Sequence, residues 1–356
     1  MPKGYCPTCN SKAQQQIVKS RSVVFSGKNA TLYGTQVREN RARYKNIYKL
    51  TLYKMSESFC HELLQNLSFH LEEMRPTYVA NCFINGFSSY TAITLNLITI
   101  YAIRKTSSLP KPLKTLLLSL AFSDLGVGLL VQPFYIVLII DQLQGNNRNC
   151  TTITVFTILM SLFSVTSFLG VMSLIADRFL AIHLHLRYQE LVTHNRVVAA
   201  VILMWVFGLF PSLLALWISQ SITSIIFGVI SIFCFVTTAF LNYKIYSTVR
   251  GYANQVQPLQ TQQATQTAET RNMTLLRKSA IGTFYIYLVF LFCFLPVIVI
   301  SVISIFSGSS VATKHLFFYG ITLMFLNSSF NPLIYCWKMK SIRHAVINTL
   351  GKVLIC

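Results

Sequence analysis

One carboxylate stands out in this sequence because of its surroundings. Asp124 is the only charged residue between positions 115 and 140, a stretch that is otherwise largely apolar. A carboxylate in such a segment is costly unless polar groups surround it. Neutral polar partners are available in two other apolar stretches, at Ser167, Asn327, Ser328 and Asn331. Their oxygens and one carboxylate suit a hard cation such as Na⁺, which predicts a sodium site. A shared proton, or a hydrogen-bonded cluster without an ion, is the alternative.

A second pair of charged residues lies at the end of another apolar stretch. Asp177 and Arg178 follow 28 positions, 149–176, that contain no charged residue. An adjacent acid and base nearly cancel in charge, so the pair is tolerated at a membrane interface. Taken alone, the pair is better explained as basic anchoring of a membrane helix. Pro296 and Pro332 interrupt two further apolar stretches, where each removes a backbone hydrogen bond and can kink a helix.

The composition indicates which elements must hold these residues. Of the 356 residues 53% are hydrophobic and 11% charged, against roughly 25% charged in soluble domains. Six windows hold at most one charged residue: 76–103, 115–140, 149–176, 197–243, 279–313 and 316–337. The window of 47 residues holds two spans if a turn at 219–221 divides it, since one span needs ~20 residues. The predicted fold is therefore an all-α membrane protein, a seven-transmembrane helix bundle.

The spans are predicted near Val79–Ile103, Leu113–Ile140, Thr151–Ile182, Arg196–Trp217, Ile222–Val249, Ser279–Phe306 and Leu316–Trp337, and are called span one to span seven. After span seven, apolar residues recur at steps of three and four from Met339 to Leu350. Basic residues lie between them, which predicts a short amphipathic helix on the membrane surface. The chain thus divides into a tail, 1–78, a bundle, 79–337, and the surface helix with a short tail, 338–356.

Basic residues near the span ends predict the orientation. With the N-terminus outside, the loops after spans one, three and five and the C-terminal tail hold 16 Lys and Arg. The outside loops and the stretch just before span one hold three. We therefore expect an outside N-terminus and a cytosolic C-terminus in the lipid bilayer. The net charge of +20 mostly reflects this asymmetry, so nucleic-acid binding is not expected.

The first 54 residues depart from this pattern, because they hold 11 basic residues and a single acid. Two interpretations stay open. The segment is either a dispensable outside tail or an extension upstream of a start at Met55.

Two kinds of outside modification are predicted. Glycosylation sequons outside the membrane begin at Asn29, Asn66 and Asn149. Cys60 and Cys150 are the two thiols most clearly outside, where disulfides persist, so we predict that they pair. The alternatives are that Cys150 pairs with Cys82 or stays free.

Short motifs, one in each span, occur together and in order. They are Asn96, Leu120–Asp124, Asp177–Phe179, Trp205, Tyr243, Phe290 with Cys293–Pro296, and Asn331–Tyr335. With this set, the chain resembles the rhodopsin-like (class A) G protein-coupled receptors over roughly residues 79–350. The resemblance implies a plasma-membrane receptor without enzymatic activity. Such a receptor binds an extracellular ligand and activates heterotrimeric G proteins, and arrestin is an expected further partner.

The resemblance also assigns roles to residues. The family's sodium pocket, an allosteric site that favours the inactive state, corresponds to Asp124, Ser167, Asn327, Ser328 and Asn331. When span six swings outward, Arg178 leaves Asp177 and contacts the G protein. Tyr243 and Tyr335 then close in beside it. The positions of the conformational switch are Phe290, Phe294, Pro296 and Pro332.

Several positions depart from the family pattern. Phe179 replaces the tyrosine of the Asp-Arg-Tyr motif, and Phe294 replaces the switch tryptophan. Leu276 stands where many members have an acid that pairs with the arginine, so we expect that latch to be absent and ligand-free activity to be measurable. Span five lacks a proline and the second outside loop is very short, which gives a weaker likeness to melanocortin receptors.

The ligand class is narrowed by exclusion. Met160 stands where amine receptors have an acid, and Phe325 where opsins have a retinal-binding lysine, so a typical amine and retinal are not expected. The upper pocket corresponds to Phe134, Tyr135, Met160, Phe163, Phe294, Val297, Phe318 and Ile321. Such a lining suits a lipid, a small apolar molecule or the hydrophobic end of a peptide, although packed helices show the same composition.

A secondary transporter is the alternative function, because an intramembrane carboxylate such as Asp124 can also mark an ion pathway. Transporters usually carry internal repeats, and the two halves of this chain show none. An intramembrane enzyme would need clustered His, Ser or acidic residues, and the spans contain almost no His.

Overall fold

The computed structural model describes residues 71–107, 109–145, 150–184, 187–214, 220–256, 268–308, 310–338 and 342–347. Within them, all regular structure is helical. The helices are α1 (Leu71–Lys105), α2 (Lys111–Gly126), α3 (Gln132–Gln144), α4 (Cys150–Leu184), α5 (Tyr188–Leu191), α6 (His194–Leu214), α7 (Gln220–Val256), α8 (Ala268–Ser307) and α9 (Val311–Lys338). Span one is α1, span two combines α2 and α3, and spans three to seven are α4, α6, α7, α8 and α9.

Span two, predicted near Leu113–Ile140, is not one regular helix. A π-helical turn, Val127–Val131, separates α2 from α3 and lies between Asp124 and Pro133. Proline cannot donate a backbone hydrogen bond and clashes with the carbonyl four residues earlier, so a widened turn accommodates it. The turn directs Gln132 and Tyr135 into the bundle, where both are buried.

Several helices extend past the predicted spans. Span one begins at Leu71 and includes Pro76, and span six already begins at Ala268. A charge-free window marks the apolar part of a helix and not its end, because helices continue into polar surroundings. After span seven, residues 342–347 are helical, with Ile342 fully buried and Ile347 exposed. This agrees with an amphipathic segment, while 339–341 and 348–356 lie outside the described residues.

Among the residues that the structure describes, five helical stretches are long and apolar enough to cross a membrane, within spans one, two, three, five and six. The stretch His194–Phe210 of span four is shorter. Span seven carries four polar residues close together, Asn327, Ser328, Ser329 and Asn331, which are all buried. A membrane helix with such residues must turn them toward other helices, since lipid offers no hydrogen bonds.

Span three occupies the middle of the bundle. It packs against α2, α6, α7 and α8, and span seven packs against spans one and six. Because spans two, three and seven share this interior, polar residues from all three can meet there.

Candidate functional site

The carboxylate of Asp124 is fully buried where spans two, three and seven meet. Ser167 of span three donates a hydrogen bond to its Oδ1 at 3.2 Å. The amide nitrogen of Asn331 of span seven donates to its Oδ2 at 2.8 Å. The structure thus brings together residues that lie 43 and 207 positions apart in the chain.

The same region holds buried oxygens that lack a donor. The side-chain oxygens of Asn96, Asn327 and Asn331 make no hydrogen bond within the described residues. Asn96 instead uses its amide nitrogen, which donates to the backbone oxygen of Ser328 at 2.9 Å. Buried acceptors without donors are uncommon in proteins, and a hard cation can satisfy them. The oxygen atoms around Asp124 therefore fit Na⁺ chemically. The hydrogen bonds to the two carboxylate oxygens of Asp124 also fit a hydrogen-bonded cluster without an ion.

Asp177 and Arg178 form a buried ion pair at the end of span three. The Nε of Arg178 donates to Oδ2 of Asp177 at 2.9 Å, and Nη2 of Arg178 contacts the same oxygen. Tyr188 of α5 donates from its hydroxyl to the other carboxylate oxygen at 2.6 Å. Burial and the neighbouring Asp177 carboxylate raise the pKa of the Tyr188 hydroxyl above its ordinary value. The hydroxyl therefore remains protonated and available as a donor.

Tyr188 is a site residue that the sequence analysis did not identify. It follows Asp177 by eleven positions in the loop after span three. A single tyrosine in a polar loop carries no spacing signal, so the helical turn of α5 had to be seen before its role was evident.

The two tyrosines assigned to the switch lie in different environments. Tyr335 is 1% exposed, and its hydroxyl has no hydrogen-bond partner within the described residues. Tyr243 is 67% exposed on span five. Tyr335 is therefore a buried residue of the bundle, whereas Tyr243 lies on its surface.

The switch positions of span six belong to an aromatic cluster. The rings of Phe290 and Phe294 stack with centroids 4.1 Å apart. Phe168 of span three lies 5.2 Å from Phe290, and Phe235 of span five lies 5.8 Å from it. Phe168 and Phe235 were not singled out from the sequence, because aromatic residues are frequent in every span. The cluster joins spans three, five and six beside Pro296.

The residues predicted to line the ligand pocket pack in separate groups. Tyr135 packs against Phe156, Phe318 and Phe325, with ring centroids between 5.4 and 6.4 Å apart. Phe163 instead packs against Trp205 and Gly126. Val297 packs against Gly320, Met160 is partly buried, Ile321 is buried and Phe134 is half-buried.

Phe163 thus faces span four and Tyr135 faces span seven. The assignment of a single upper pocket stays a prediction.

A row of polar residues on span one was also not identified from the sequence. Asn81 and Asn85 are four residues apart and fully buried. Asn85 donates to Thr322 of span seven at 2.8 Å and accepts from Gln132 of span two at 3.4 Å. The hydroxyl of Thr322 also donates to Asn81. The spacing of four residues between two asparagines in an apolar helix was the sequence signal that could have identified this row. Its hydrogen bonds connect spans one, two and seven.

Cys150 is disulfide-bonded. Cys82, Cys234, Cys293 and Cys336 are free thiols, so the partner of Cys150 is none of these. Cys60 lies outside the described residues, and its pairing with Cys150 stays a prediction. Asn29, Asn66 and Asn149 also lie outside them, as does the side chain of Leu276.

The amino-acid sequence of the chain matches a known protein family. The profile described as 7 transmembrane receptor (rhodopsin family) matches residues 95–224 and 215–335, together more than half of the chain. The chain belongs to this family, the rhodopsin-like G protein-coupled receptors, as the motifs predicted. The members of this family are receptors and not enzymes. Because the match is to receptors, the interpretation of the chain as a secondary transporter is not retained. The protein is a multi-pass receptor of the plasma membrane.

Individual relatives cover most of the chain at low identity. The adenosine receptor A3 of Canis lupus familiaris is 24% identical over 290 residues, which is 74% of this chain and 88% of that receptor. The adenosine receptor A2b of Gallus gallus is 25% identical over 322 residues, or 80% and 91%. The adenosine receptor A3 of Ovis aries is 24% identical over 289 residues, or 74% and 87%.

Proposed function

We propose that this receptor activates heterotrimeric G proteins when an extracellular ligand favours outward movement of the inner end of span six. The observation that carries the proposal is the buried Asp177–Arg178 pair, to which Tyr188 adds a hydrogen bond. A buried arginine cannot contact a partner protein. Outward movement of span six would open the space in which Arg178 leaves Asp177 and meets the G protein, and arrestin would use the same opening.

The proposed orientation places the N-terminus outside and the C-terminus in the cytosol. Its support is the distribution of basic residues, 16 at the inner ends against three at the outer ends. In this orientation Arg178 and α5 lie at the cytosolic end of the bundle, where outward movement of span six would open Arg178 to a G protein.

We further propose that Na⁺ binds beside Asp124 and favours the inactive receptor. Asp124, Ser167, Asn327, Ser328 and Asn331 would hold it. A bound cation would balance the carboxylate charge and satisfy the unpaired amide oxygens of Asn327 and Asn331. Any ion that binds one conformation better than another shifts the equilibrium toward it.

Adenosine is the first ligand to test, because the relatives described above are named as adenosine receptors. Identity near 24% does not decide the ligand. The aromatic lining around Tyr135 and Phe318 suits a flat ring, and it suits apolar ligands equally well.

Reconstitution with purified G proteins tests the function. The receptor in lipid nanodiscs is combined with each class of heterotrimer, and guanine nucleotide exchange is followed with adenosine, related nucleosides and a lipid panel. Exchange above that of empty nanodiscs, with or without ligand, supports the proposal. An absence of receptor-dependent exchange for every heterotrimer and every ligand would contradict it.

A further inference from the structure

Lys338, the last residue of span seven, contacts two aromatic rings with its ammonium group. Its ammonium nitrogen is 3.4 Å from the ring centroid of Trp337 and 4.0 Å from that of Tyr285. Both distances are well within the ~6 Å over which the electron-rich face of an aromatic ring attracts a cation. The two rings lie 5.1 Å from each other. Tyr285 belongs to span six, so the ammonium group bridges two different spans.

The backbones approach closely at the same place. A Cβ added to Gly282 of span six would lie 3.4 Å from the Cβ of Lys338. Gly282 and Tyr285 are three residues apart and share one face of their helix. A Cβ at that distance makes ordinary van der Waals contact, so spans six and seven lie side by side where the ring of Tyr285 meets the ammonium group. Among the described residues, no carboxylate forms an ion pair with Lys338.

The contact lies at the end of the helix pair that is proposed to open. Spans six and seven are connected at their other ends, between Ser307 and Val311. Tyr285 is 22 residues before Ser307, a distance of about 33 Å along a helix. In the proposed orientation this is the cytosolic end, close to where span six must swing away from span seven.

We propose that Tyr285, Trp337 and Lys338 form a cation–π clamp that holds the inner end of span six against span seven in the inactive receptor. Its role rests on the proposed function, because it resists the outward movement described above. Outward movement separates Tyr285 from Lys338, whereas Trp337 and Lys338 stay together on one helix. The clamp supplies a restraint in a receptor that has Leu276 where many members have an acid. Ligand-free activity should then be limited by the contact between Lys338 and the ring of Tyr285.

The experiment measures ligand-free nucleotide exchange in nanodiscs. Lys338→Met removes the charge while keeping a long apolar side chain, and Tyr285→Leu removes the ring. Each is expected to raise ligand-free exchange by roughly two- to thirty-fold, the range that one cation–π contact represents. The double variant should rise little further, because each single change already removes the same contact. Lys338→Arg and Tyr285→Phe keep a cation and a ring and should stay near the unchanged receptor.

The matched control is another cation–π contact, which lies within a single helix. The ammonium of Lys105 lies 5.6 Å from the ring centroid of Tyr101, and both residues belong to span one. Lys105→Met removes a basic residue from an inner span end without affecting a contact between spans. It should leave ligand-free exchange unchanged. In a receptor that shows ligand-free exchange, an equal rise for Lys105→Met, or no rise for Lys338→Met, would overturn the clamp.

A distance measurement separates failure of the clamp from failure of the proposed function. Spin labels carried by unnatural amino acids at Arg104 of span one and Ile281 of span six report the position of the inner end of span six. Both side chains are exposed. Lys338→Met should increase the population with a longer distance, even if no G protein is activated. An unchanged distance distribution would rule out the clamp, whereas a longer distance without any exchange would contradict only the receptor's proposed coupling.

Discussion

At the scale of single residues, the function depends on two buried carboxylates in different surroundings. Asp124 is paired with neutral donors only, whereas Asp177 has an arginine and a tyrosine hydroxyl. Hydrogen bonds from Ser167 and Asn331 share the charge of Asp124 without cancelling it. This difference makes Asp124 the candidate for a bound cation and Asp177 the candidate for a protein ion pair.

Replacing Na⁺ in the medium with a bulky organic cation should raise ligand-free nucleotide exchange. If Na⁺ binds only the inactive state and its Kd is ten- to twenty-fold below the outside concentration, it contributes about 1–2 kcal/mol to that state. Asp124→Asn should remove the dependence on Na⁺. Exchange assays across a series of Na⁺ concentrations at constant ionic strength measure it. A flat response of the unchanged receptor would favour the hydrogen-bonded cluster without an ion.

Arg178→Ala should abolish nucleotide exchange and preserve surface expression, because Arg178 is assigned to the G protein contact. Tyr188→Phe serves as a contrast, since it removes only the hydrogen bond to Asp177. A hydrogen bond to a charged group contributes roughly 1.5–3 kcal/mol, so ligand-free exchange should rise about ten-fold or more if the bond exists only in the inactive state. Full exchange by Arg178→Ala would contradict its assigned role.

At the scale of elements, Gly126 lets spans two and three pack closely. A Cβ added to Gly126 would lie 2.1 Å from the ring of Phe163, which also packs against Trp205 of span four. Gly126 comes just before the π-helical turn, so spans two, three and four meet where span two is irregular. The small residue keeps span three close to span two near Asp124.

Gly126→Ala should lower the stability of the bundle. The ring of Phe163 must move to accept the methyl group, and overpacking a core costs roughly 1–3 kcal/mol. Thermal unfolding of the purified receptor measures the change. Gly228→Ala is the control, because a Cβ at Gly228 meets no atom within 4 Å. Adding Phe163→Leu should restore part of the loss at Gly126, and equal melting temperatures for the two glycine variants would refute the packing argument.

At the scale of the whole molecule, every functional assignment depends on which side of the membrane each loop faces. We predict a glycan at Asn66 and none at Asn272, whose sequon lies near the start of α8, before the apolar part of span six. The measurement is the gel shift on deglycosylation of single-sequon variants expressed in cells. A glycan on Asn272 would invert the orientation and place Arg178 outside the cell.

Deleting residues 1–54 should leave surface expression and nucleotide exchange unchanged, because the family match begins at residue 95 and the receptor motifs all follow it. Cell-surface labelling and the exchange assay test this. Loss of either property would assign the basic tail a role, for example in binding an acidic ligand.

The sequence by itself determined the seven-helix fold, the receptor family and two residues that meet at Asp124, Ser167 and Asn331. Long apolar runs must become helices in lipid, because no other single segment satisfies its own backbone there. An intramembrane carboxylate needs polar neighbours, so Ser167 and Asn331 could be chosen before the fold was known. Only the tertiary structure decided the contacts between helices, such as Tyr188 with Asp177, Phe163 with Gly126, and Lys338 with Tyr285. These depend on how each helix is rotated about its axis and shifted along its neighbour, which is set by the packing of all the spans together and not by any one of them.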